Sequence, residues 1–344
     1  MAERKRVGIV DLARSLGLST YTVSRALNGH GDVAAATRER VVAAARTIGY
    51  TPNALGRTLR RGRTDAVGFL LTPSPAGLVD SYFLPLLTGL DAVLSPAGYA
   101  LLVAGAAPDE QEIETLHRLV EGRRVDAVIL TRVRVDDPRA AYLRRQGFPF
   151  TMLGRDGDRP GTPFIDADHR TSGRIATAWL ISRGHRRIAV INTPAQVNGS
   201  RQRLLGWQEM LAESGLATDP AWHRCGDYTA ESGCRETRAL LALSPRPTAI
   251  LCGNDEMAFG AVGAVRTAGL SVGSDISIIG CDDIPIAALT NPPLTTFRTS
   301  LRPFGETLAQ QVLALLRGET PASQLGVPEM VERGSAGPAP AEPG

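Results

Sequence analysis

Two short amphipathic helices joined by a glycine-containing turn are predicted between Val10 and Asn28, and no other stretch constrains the fold as strongly. Val10, Ala13 and Leu16 give the first helix an apolar inner face. Gly17 follows directly, at the position after a helix where a left-handed backbone is favoured. Two such helices with a turn of three or four residues between them form a helix-turn-helix motif.

The second helix of this motif carries polar side chains on its outer face. Ser19 is suited to cap the helix, and Val23, Ala26 and Leu27 are its inward positions. The outward side chains are short or planar hydrogen-bonding groups, which suit base edges and phosphates in a major groove. The outward residues are Thr20, Tyr21, Thr22, Ser24, Arg25 and Asn28. A DNA-binding head is therefore predicted, and a packed helical hairpin that contacts no nucleic acid is the alternative.

The distribution of charge along the chain agrees with a DNA-binding head. Residues 1–64 carry 12 Lys and Arg against 4 Asp and Glu, whereas the remaining residues carry 26 against 31. A basic end on a mildly acidic body is the asymmetry expected when only one end of the chain meets phosphate. Charge alone is weak evidence, but together with the helix-turn-helix motif it supports DNA binding.

Residues 53–63 have the composition of a helix but span only about two turns, so they are not expected to be helical on their own. Gly56 lowers the helix propensity further. Arginines such as Arg57 suit a narrow groove, and Leu59 is placed to wedge between base steps. This segment is predicted to order only on DNA and to contact it through Asn53, Arg57 and Leu59, with a flexible basic linker as the alternative.

From Asp65 onward, short apolar runs alternate with helical stretches, which predicts parallel sheets with crossover helices. Because the strands fall into two similar halves, two doubly wound lobes are expected, and a last helix, Arg302–Arg317, is predicted to cross back to the first lobe. The clear strands are Ala66–Leu71, Ala100–Val103, Asp126–Leu130, Phe150–Leu153, Ile188–Ile191, Ala249–Cys252 and Ser277–Ile279. A further short strand is expected to end near Cys225.

The predicted fold class is α/β, with an all-α helix-turn-helix head, a hinge helix and a two-lobed body of doubly wound parallel sheets. The predicted boundaries are a head over 1–52, a hinge helix and linker over 53–64, a body over 65–333 and a tail over 334–344. The first lobe is expected to hold about 65–165 and 294–325, and the second lobe about 166–293 and 326–333. The tail is rich in Gly, Ala and Pro and is predicted to be disordered.

Several classes of function lack their sequence signals. No nucleophile, phosphate-loop or zinc-protease motif is present, so no catalytic residue, cofactor or metal site is expected. The spacing of the cysteines matches neither a zinc site nor a disulfide framework, and reduced thiols are expected. No apolar run approaches membrane-spanning length, and the opening residues lack a signal-peptide core, so a cytoplasmic protein is expected. A sugar-processing enzyme with paired carboxylates is the alternative that the sequence leaves open.

A ligand site is predicted where the strands of the body end, because ligands of open parallel sheets bind outside the carboxyl ends of the strands. Asn254 and Asp282 each follow a predicted strand, Tyr228 follows the short one, and Arg203 begins a helix after the fifth. Asn, Asp and Arg pair well with vicinal hydroxyls of a sugar, and Tyr228 is suited to stack on a pyranose face. For Asn254 and Asp282 the alternative role is helix capping. For Tyr228 and Arg203 it is surface packing or a salt bridge.

A set of motifs along the chain is specific enough to indicate a protein family. They are Asp11-Leu12-Ala13, Thr22–Asn28, Thr37–Val41, Gly49–Asn53, Gly184–Ile188, Arg203–Trp207, Asn254–Ala258 and Pro293–Thr296. On these residues the chain resembles the LacI/GalR family of bacterial transcription regulators. The resemblance implies a homodimer whose heads bind a pseudo-palindromic operator, and a body similar to a periplasmic sugar-binding protein.

The resemblance also assigns roles to particular residues. It implies that Thr20, Tyr21 and Arg25 contact bases, and that Leu59 enters the minor groove. It further implies effector contacts by Arg203, Asn254 and Asp282, an aromatic contact by Tyr228 and a contact by Phe83. A repressor controlled by a small molecule between the lobes, most simply a mono- or oligosaccharide, is therefore expected. A nucleobase effector, a phosphoprotein co-repressor or an activator role are the alternatives within the family.

Overall fold

The computed structural model describes residues 8–27, 30–50, 62–71, 82–106, 110–157 and 161–341. They fall into two compact units, one within residues 1–64 and one within 65–344. Among these described residues, no helix is both long enough and apolar enough to span a membrane.

The first unit is a bundle of three helices, which confirms the predicted helix-turn-helix motif. The helices are α1 (Ile9–Leu16), α2 (Thr20–Leu27) and α3 (Ala35–Ile48). Gly17 ends α1 in the left-handed conformation, with φ 66°. The hydroxyl of Ser19 accepts the backbone N–H of Thr22 at 3.0 Å, so Ser19 caps α2 as predicted.

The inner face of α1 differs from the prediction. Val10 was expected inside but is 55% exposed, whereas Leu12 is fully buried with Ala13 beside it. The reason is the helical repeat, since Ile9, Leu12, Ala13 and Leu16 form one continuous stripe and Val10 lies off it. This stripe packs against apolar side chains of α2 and α3.

The second unit, the body, contains eight helices and twelve strands within the part of the chain that the structure describes. The helices are α4 (Phe83–Leu94), α5 (Glu110–Val120), α6 (Pro138–Arg145), α7 (His169–Ser182), α8 (Asn198–Glu213), α9 (Ala230–Leu241), α10 (Asp255–Thr267) and α11 (Leu301–Leu316). The strands are β1 (Ala66–Leu71), β2 (Ala100–Gly105), β3 (Ala127–Leu130), β4 (Phe150–Leu153), β5 (Phe164–Ala167), β6 (Ile188–Asn192), β7 (His223–Cys225), β8 (Ala249–Cys252), β9 (Ser277–Ile279), β10 (Thr296–Arg298), β11 (Gln324–Gly326) and β12 (Glu329–Val331).

Two parallel sheets form the two predicted lobes. The first lobe has the strand order β11-β5-β4-β3-β1-β2, and the second has β7-β6-β8-β9. A two-stranded antiparallel ribbon of β10 and β12 lies beside them. As expected, α11 returns to the first lobe, where it packs against α4. All seven clear strands are confirmed, together with the short strand that ends at Cys225. The strands that the sequence does not reveal are β5, β10, β11 and β12, each three or four residues long.

The boundaries between the lobes differ from the prediction at two places. Residues from 294 were expected in the first lobe, but Leu294 and Phe297 are buried in the core of the second. The ribbon holds them there, because β10 pairs with β12. Asp166 was expected to open the second lobe, but it pairs with Leu325 inside the first sheet.

The predicted disordered tail is wrong for its described part, residues 334–341. Ser335 is fully buried. Its backbone carbonyl accepts the N–H of Ile278 at 2.8 Å, and its own N–H donates to the Pro293 carbonyl at 3.0 Å. The N–H of Gly337 donates to the Ser277 hydroxyl at 3.0 Å. Composition suggested disorder, but β9 is an edge strand with unpaired backbone groups, and the tail supplies their partners.

The buried hydroxyl of Ser335 is expected to contribute measurably to stability. It accepts the N–H of Thr295 at 2.8 Å and donates to the Ile278 carbonyl at 2.7 Å. Ser335→Ala leaves both groups buried without a partner, so it should lower the free energy of unfolding by about 1–3 kcal/mol. Urea titration measures this loss. Ser182→Ala, which removes an exposed hydroxyl, is the control and should change stability by less than about 0.5 kcal/mol. Equal stabilities of the two variants would contradict a structural role for the tail.

Candidate functional site

A cleft of about 910 Å³, including the solvent at its mouth, lies between the two lobes at the carboxyl ends of their strands. This is the position at which parallel sheets bind ligands. All five residues that the sequence predicts for the effector line this one cleft, namely Phe83, Arg203, Tyr228, Asn254 and Asp282. Their role as effector ligands stays a prediction, but their convergence is a property of the fold.

Asn254 is fixed by two hydrogen bonds at the end of β8. Its Oδ1 accepts the backbone N–H of Met257 at 3.0 Å, which makes Asn254 the N-cap of α10. Its Nδ2 donates to the carbonyl of Tyr228 at 3.1 Å. The helix begins at Asp255, and Asn254, the residue before it, provides the cap. Asn254 therefore caps α10 and also lines the cleft.

Asp282 is held in a strained backbone conformation at the end of β9. Its φ is 124°, and its N–H donates to the carbonyl of Phe297 in β10 at 2.8 Å. Tyr228 and Arg132, which also line the cleft, have φ values of 74° and 49°. Left-handed backbone in residues other than glycine costs free energy and is concentrated at functional sites. The strain at three cleft residues supports a binding role for this region.

Arg203 lies 7% exposed on α8 and is held at both ends of its guanidinium. Nη1 donates to Oδ1 of Asn192 at 3.2 Å, and Nη2 lies 3.0 Å from Nδ1 of His169. The contact with His169 requires α7 and α8 to approach closely, and paired glycines allow it. A Cβ on Gly173 would lie 2.4 Å from the backbone oxygen of Arg203, and one on Gly206 would lie 2.0 Å from that of Arg170.

Aromatic side chains of both lobes meet an arginine across the cleft. Phe83 is 4% exposed and belongs to the first lobe, whereas Tyr228 belongs to the second. The Arg132 guanidinium lies 4.3 Å from the ring centre of Tyr228 and 5.8 Å from that of Phe83. Burial raises the pKa of the Tyr228 hydroxyl, so this ring is neutral at physiological pH. Arg132 was not predicted, because nothing in the sequence distinguishes it from a surface arginine.

The residues after Arg132 join the lobes through the main chain. The N–H of Asn198 donates to the carbonyl of Val133 at 2.9 Å, and the N–H of Val135 donates to the carbonyl of Gln196 at 3.1 Å. The two lobes are therefore joined by main-chain hydrogen bonds as well as by the segments of chain that pass from one lobe to the other.

The outer face of α2 largely matches the prediction. Thr20 is exposed and Tyr21 is 68% exposed. Arg25 Nη1 donates to the Tyr21 hydroxyl at 3.3 Å, and its Nε lies 2.7 Å from a carboxylate oxygen of Asp32. This ion pair lowers the pKa of Asp32, so the carboxylate stays charged and orients Arg25.

Two other predicted DNA contacts are less accessible. Ser24 was assigned to the outer face but is 6% exposed, because it lies on the side of α2 that packs between the helices. Thr22 is half-buried, and its hydroxyl lies 2.9 Å from that of Ser19 at the start of the helix. The remaining predicted DNA contacts, Asn28, Asn53, Arg57 and Leu59, lie outside the described residues.

Comparison with known proteins agrees with this architecture in both units. Residues 8–53 match the family model described as bacterial regulatory proteins, lacI family, and residues 177–336 match a periplasmic binding protein-like domain. The HTH-type transcriptional regulator AglR of Rhizobium meliloti (strain 1021) is 39% identical over 97% of this chain and 95% of its own length. The chain belongs to the LacI family.

Two solved structures resemble nearly the whole chain. A complex of the transcriptional regulator CelR with cellobiose is 30% identical, has a TM-score of 0.74 and covers 96% of this chain and 100% of its own. The Lac repressor dimer bound to operator and the anti-inducer ONPF is 29% identical, has a TM-score of 0.85 and covers 96% of this chain and 99% of its own. This LacI-family protein is thus an HTH-type transcriptional regulator with a DNA-binding head.

The described residues of this LacI-family regulator offer few groups for metal-binding or thiol chemistry. No group of three or more His, Cys, Asp or Glu side chains is placed to hold a metal ion. Cys225, Cys234, Cys252 and Cys281 are all free thiols. Burial raises the pKa of Cys281 to about 12, so this thiol beside the cleft is unreactive at neutral pH.

Asp255 is a fully buried carboxyl behind the cleft. It accepts the N–H of Ile284 at 3.0 Å and the hydroxyl of Thr296 at 2.5 Å, and so ties the end of β8 to the segments after β9. Burial raises the pKa of Asp255 to about 7. The folded chain therefore retains a proton that the unfolded chain releases near pH 4.

Stability should consequently fall as the pH rises from about 4 to about 7, because the folded state binds more protons than the unfolded state in this window. Asp255→Asn resembles the protonated acid and should lack this decline. Measured by urea unfolding, the wild-type protein should lose roughly 2–3 kcal/mol more than the variant between pH 5 and pH 8. Asp91→Asn alters an exposed carboxyl of α4 and should follow the wild-type profile. Parallel pH profiles for wild type and Asp255→Asn would contradict the assignment.

Proposed function

We propose that this LacI-family regulator is a cytoplasmic repressor that binds a pseudo-palindromic operator as a homodimer and is controlled by a mono- or oligosaccharide bound in the cleft. The observation that carries the proposal is the composition of the cleft wall. Arg203, Asn254 and Asp282 offer planar donors and acceptors, and Phe83 and Tyr228 offer aromatic surfaces. Vicinal hydroxyls of a sugar suit hydrogen bonds with the three polar side chains, and the apolar face of a pyranose suits packing against the two aromatic rings.

The relatives support the sugar class. A similar regulator, CelR, has been solved with cellobiose, which shows that a body of this fold accepts a disaccharide. The Lac repressor, another similar protein, is known as a dimer on its operator. No catalytic role is proposed for the cleft.

A homodimer accounts for apolar surface on the body. The edge strand β2 has the sequence Ala-Leu-Leu-Val-Ala-Gly, and its Val103 is 45% exposed. Leu84 on α4 is 67% exposed, and in the second lobe Ile286 and Leu289 are 53% and 81% exposed. An apolar edge strand is a liability in a monomer, and a second copy of the chain is the partner that covers it.

The proposed switch depends on the relative position of the lobes. A ligand between them changes their arrangement only by its differential affinity for two states of the body, which typically amounts to about 1–3 kcal/mol. The main-chain bonds at Val133 and Val135 and the contact of Arg132 with Tyr228 join the lobes, and we propose that they change between such states. The segment 53–64, of which residues 53–61 lie outside the described part of the chain, is proposed to pass this change to the heads.

The ligand class is tested by a thermal-shift panel of cellobiose, maltose, sucrose, trehalose and glucose, with adenosine, hypoxanthine and glucose 6-phosphate as other classes. A neutral sugar should raise the melting temperature, because it binds only the folded state. Stabilisation by adenosine or hypoxanthine alone would instead establish the nucleobase alternative.

Asp282→Ala should abolish the melting shift caused by that sugar and leave operator affinity near the wild-type value. The reason is that Asp282 lines the cleft, whereas its backbone N–H, which the substitution leaves in place, bonds to Phe297 in β10. Filter binding to a duplex selected by the wild-type protein from a randomised pool measures the affinity. A variant that still responds to the sugar would exclude Asp282 from the site.

Arg25→Gln should weaken specific operator binding by about 1–3 kcal/mol, because an arginine on the exposed face of α2 is suited to bidentate contact with a guanine. Competition with non-specific DNA measures the loss of selectivity. Arg46→Gln, an exposed arginine in the last turn of α3, removes the same charge and should keep the selectivity of the wild type. Equal losses in both variants would show that Arg25 acts only through charge.

A further inference from the structure

Asp166 is a cleft residue to which the sequence assigns no role. It lies on β5, at the carboxyl end of a first-lobe strand, and it is only 4% exposed. Its side chain lines the same cleft as Arg203, Asn254 and Asp282, which belong to the second lobe. Asp166 therefore places a buried carboxylate on the opposite wall from the predicted effector residues.

The Asp166 carboxylate is only partly satisfied by the protein. Oδ2 has no hydrogen-bond partner among the described residues and lies 3.5 Å from Nε of Arg155, which also has none there. Oδ1 lies 3.5 Å from Nε2 of His169. The Arg155 guanidinium compensates the charge, but neither separation is that of a well-formed hydrogen bond. A buried charged oxygen without a donor is costly, so a donor from the ligand would be strongly favoured.

The neighbouring histidine is oriented so that it supports this arrangement. Nη2 of Arg203 can only donate, so Nδ1 of His169 accepts and its Nε2 carries the proton on the side of Asp166. Gly199 leaves room for the ring, because a Cβ at this position would lie 2.7 Å from Cδ2 of His169. Asp166, His169 and Arg203 thus form a polar chain that crosses from one lobe to the other.

We propose that Asp166 is a specificity-determining residue of the effector site, whose carboxylate accepts a hydrogen bond from a hydroxyl of an uncharged polyhydroxylated ligand. The inference rests on the function proposed above and adds the requirement that the ligand bear a hydroxyl donor facing the first lobe. Arg155 already balances the carboxylate, so no cationic ligand group is needed, and an anionic group at this point is repelled. The polar chain lets this bond bias the position of both lobes.

The test compares wild type with Asp166→Asn, which keeps the side-chain volume and removes the charged acceptor. The probe is the neutral sugar of the panel that most stabilises the wild-type protein, titrated by calorimetry. Asp166→Asn should weaken its binding by about 10- to 100-fold. Glu332→Gln neutralises an exposed carboxylate of the same body, paired with Arg183, and should bind like wild type. Melting temperatures without sugar establish that the variants are folded, and Asp166→Ser replaces the Asn variant if that one does not fold.

Monodeoxyfluoro derivatives of the same sugar distinguish a direct contact from a structural effect, because fluorine cannot donate a hydrogen bond. One derivative should bind wild type about 10-fold more weakly than the parent sugar while binding Asp166→Asn as well as the parent does. A uniform loss across all derivatives in both proteins would overturn the contact.

Failure of this inference is separate from failure of the proposed function. If wild type and Asp166→Asn bind the sugar equally, the inference is wrong and the sugar-controlled regulator stands. If no neutral sugar stabilises the wild-type protein, the proposed function fails and the inference fails with it.

Discussion

The close contact between α7 and α8 is the constraint on which the cleft depends. Gly173 and Gly206 each lie where a Cβ would collide with the backbone of the other helix. This approach brings His169 at the start of α7 within 3.0 Å of Arg203 on α8. The same arrangement occurs between α4 and α11, where a Cβ on Gly89 would lie 2.1 Å from the Arg302 carbonyl oxygen. Helices that pack backbone to backbone allow little adjustment, so the polar groups they carry are fixed in place.

Buried polar groups then fix the strand ends of the second lobe. Asp255 bonds to the segments that follow β9, and Asn254 bonds to the carbonyl of Tyr228. Asp282 lines the cleft and is anchored to β10 through its backbone N–H. The site is thus built from residues whose backbone positions are determined before any ligand arrives, and such preorganisation lowers the cost of binding.

Much of this was predictable from the sequence, and the remainder has identifiable causes. Apolar runs revealed β1, β6, β8 and β9, and the polar residues that follow the last three identified the second-lobe wall. The short strand β5 carries no comparable signal, since Phe-Ile-Asp-Ala is four residues with an acid inside it. Asp166 was therefore missed, as was Arg132, which depends on tertiary contacts alone. The tail was misjudged because composition does not report an edge strand that needs partners.

The C-terminal tail is attached to the second lobe, so a label at its end can report the movement of that lobe. Ser335 and Gly337 fasten the chain to β9, so the polypeptide remains attached to the second lobe up to its last described residues. A fluorescent domain appended beyond residue 341 would move with that lobe. Paired with a dye placed on the first lobe, it would report the opening and closing of the cleft as a change in energy transfer.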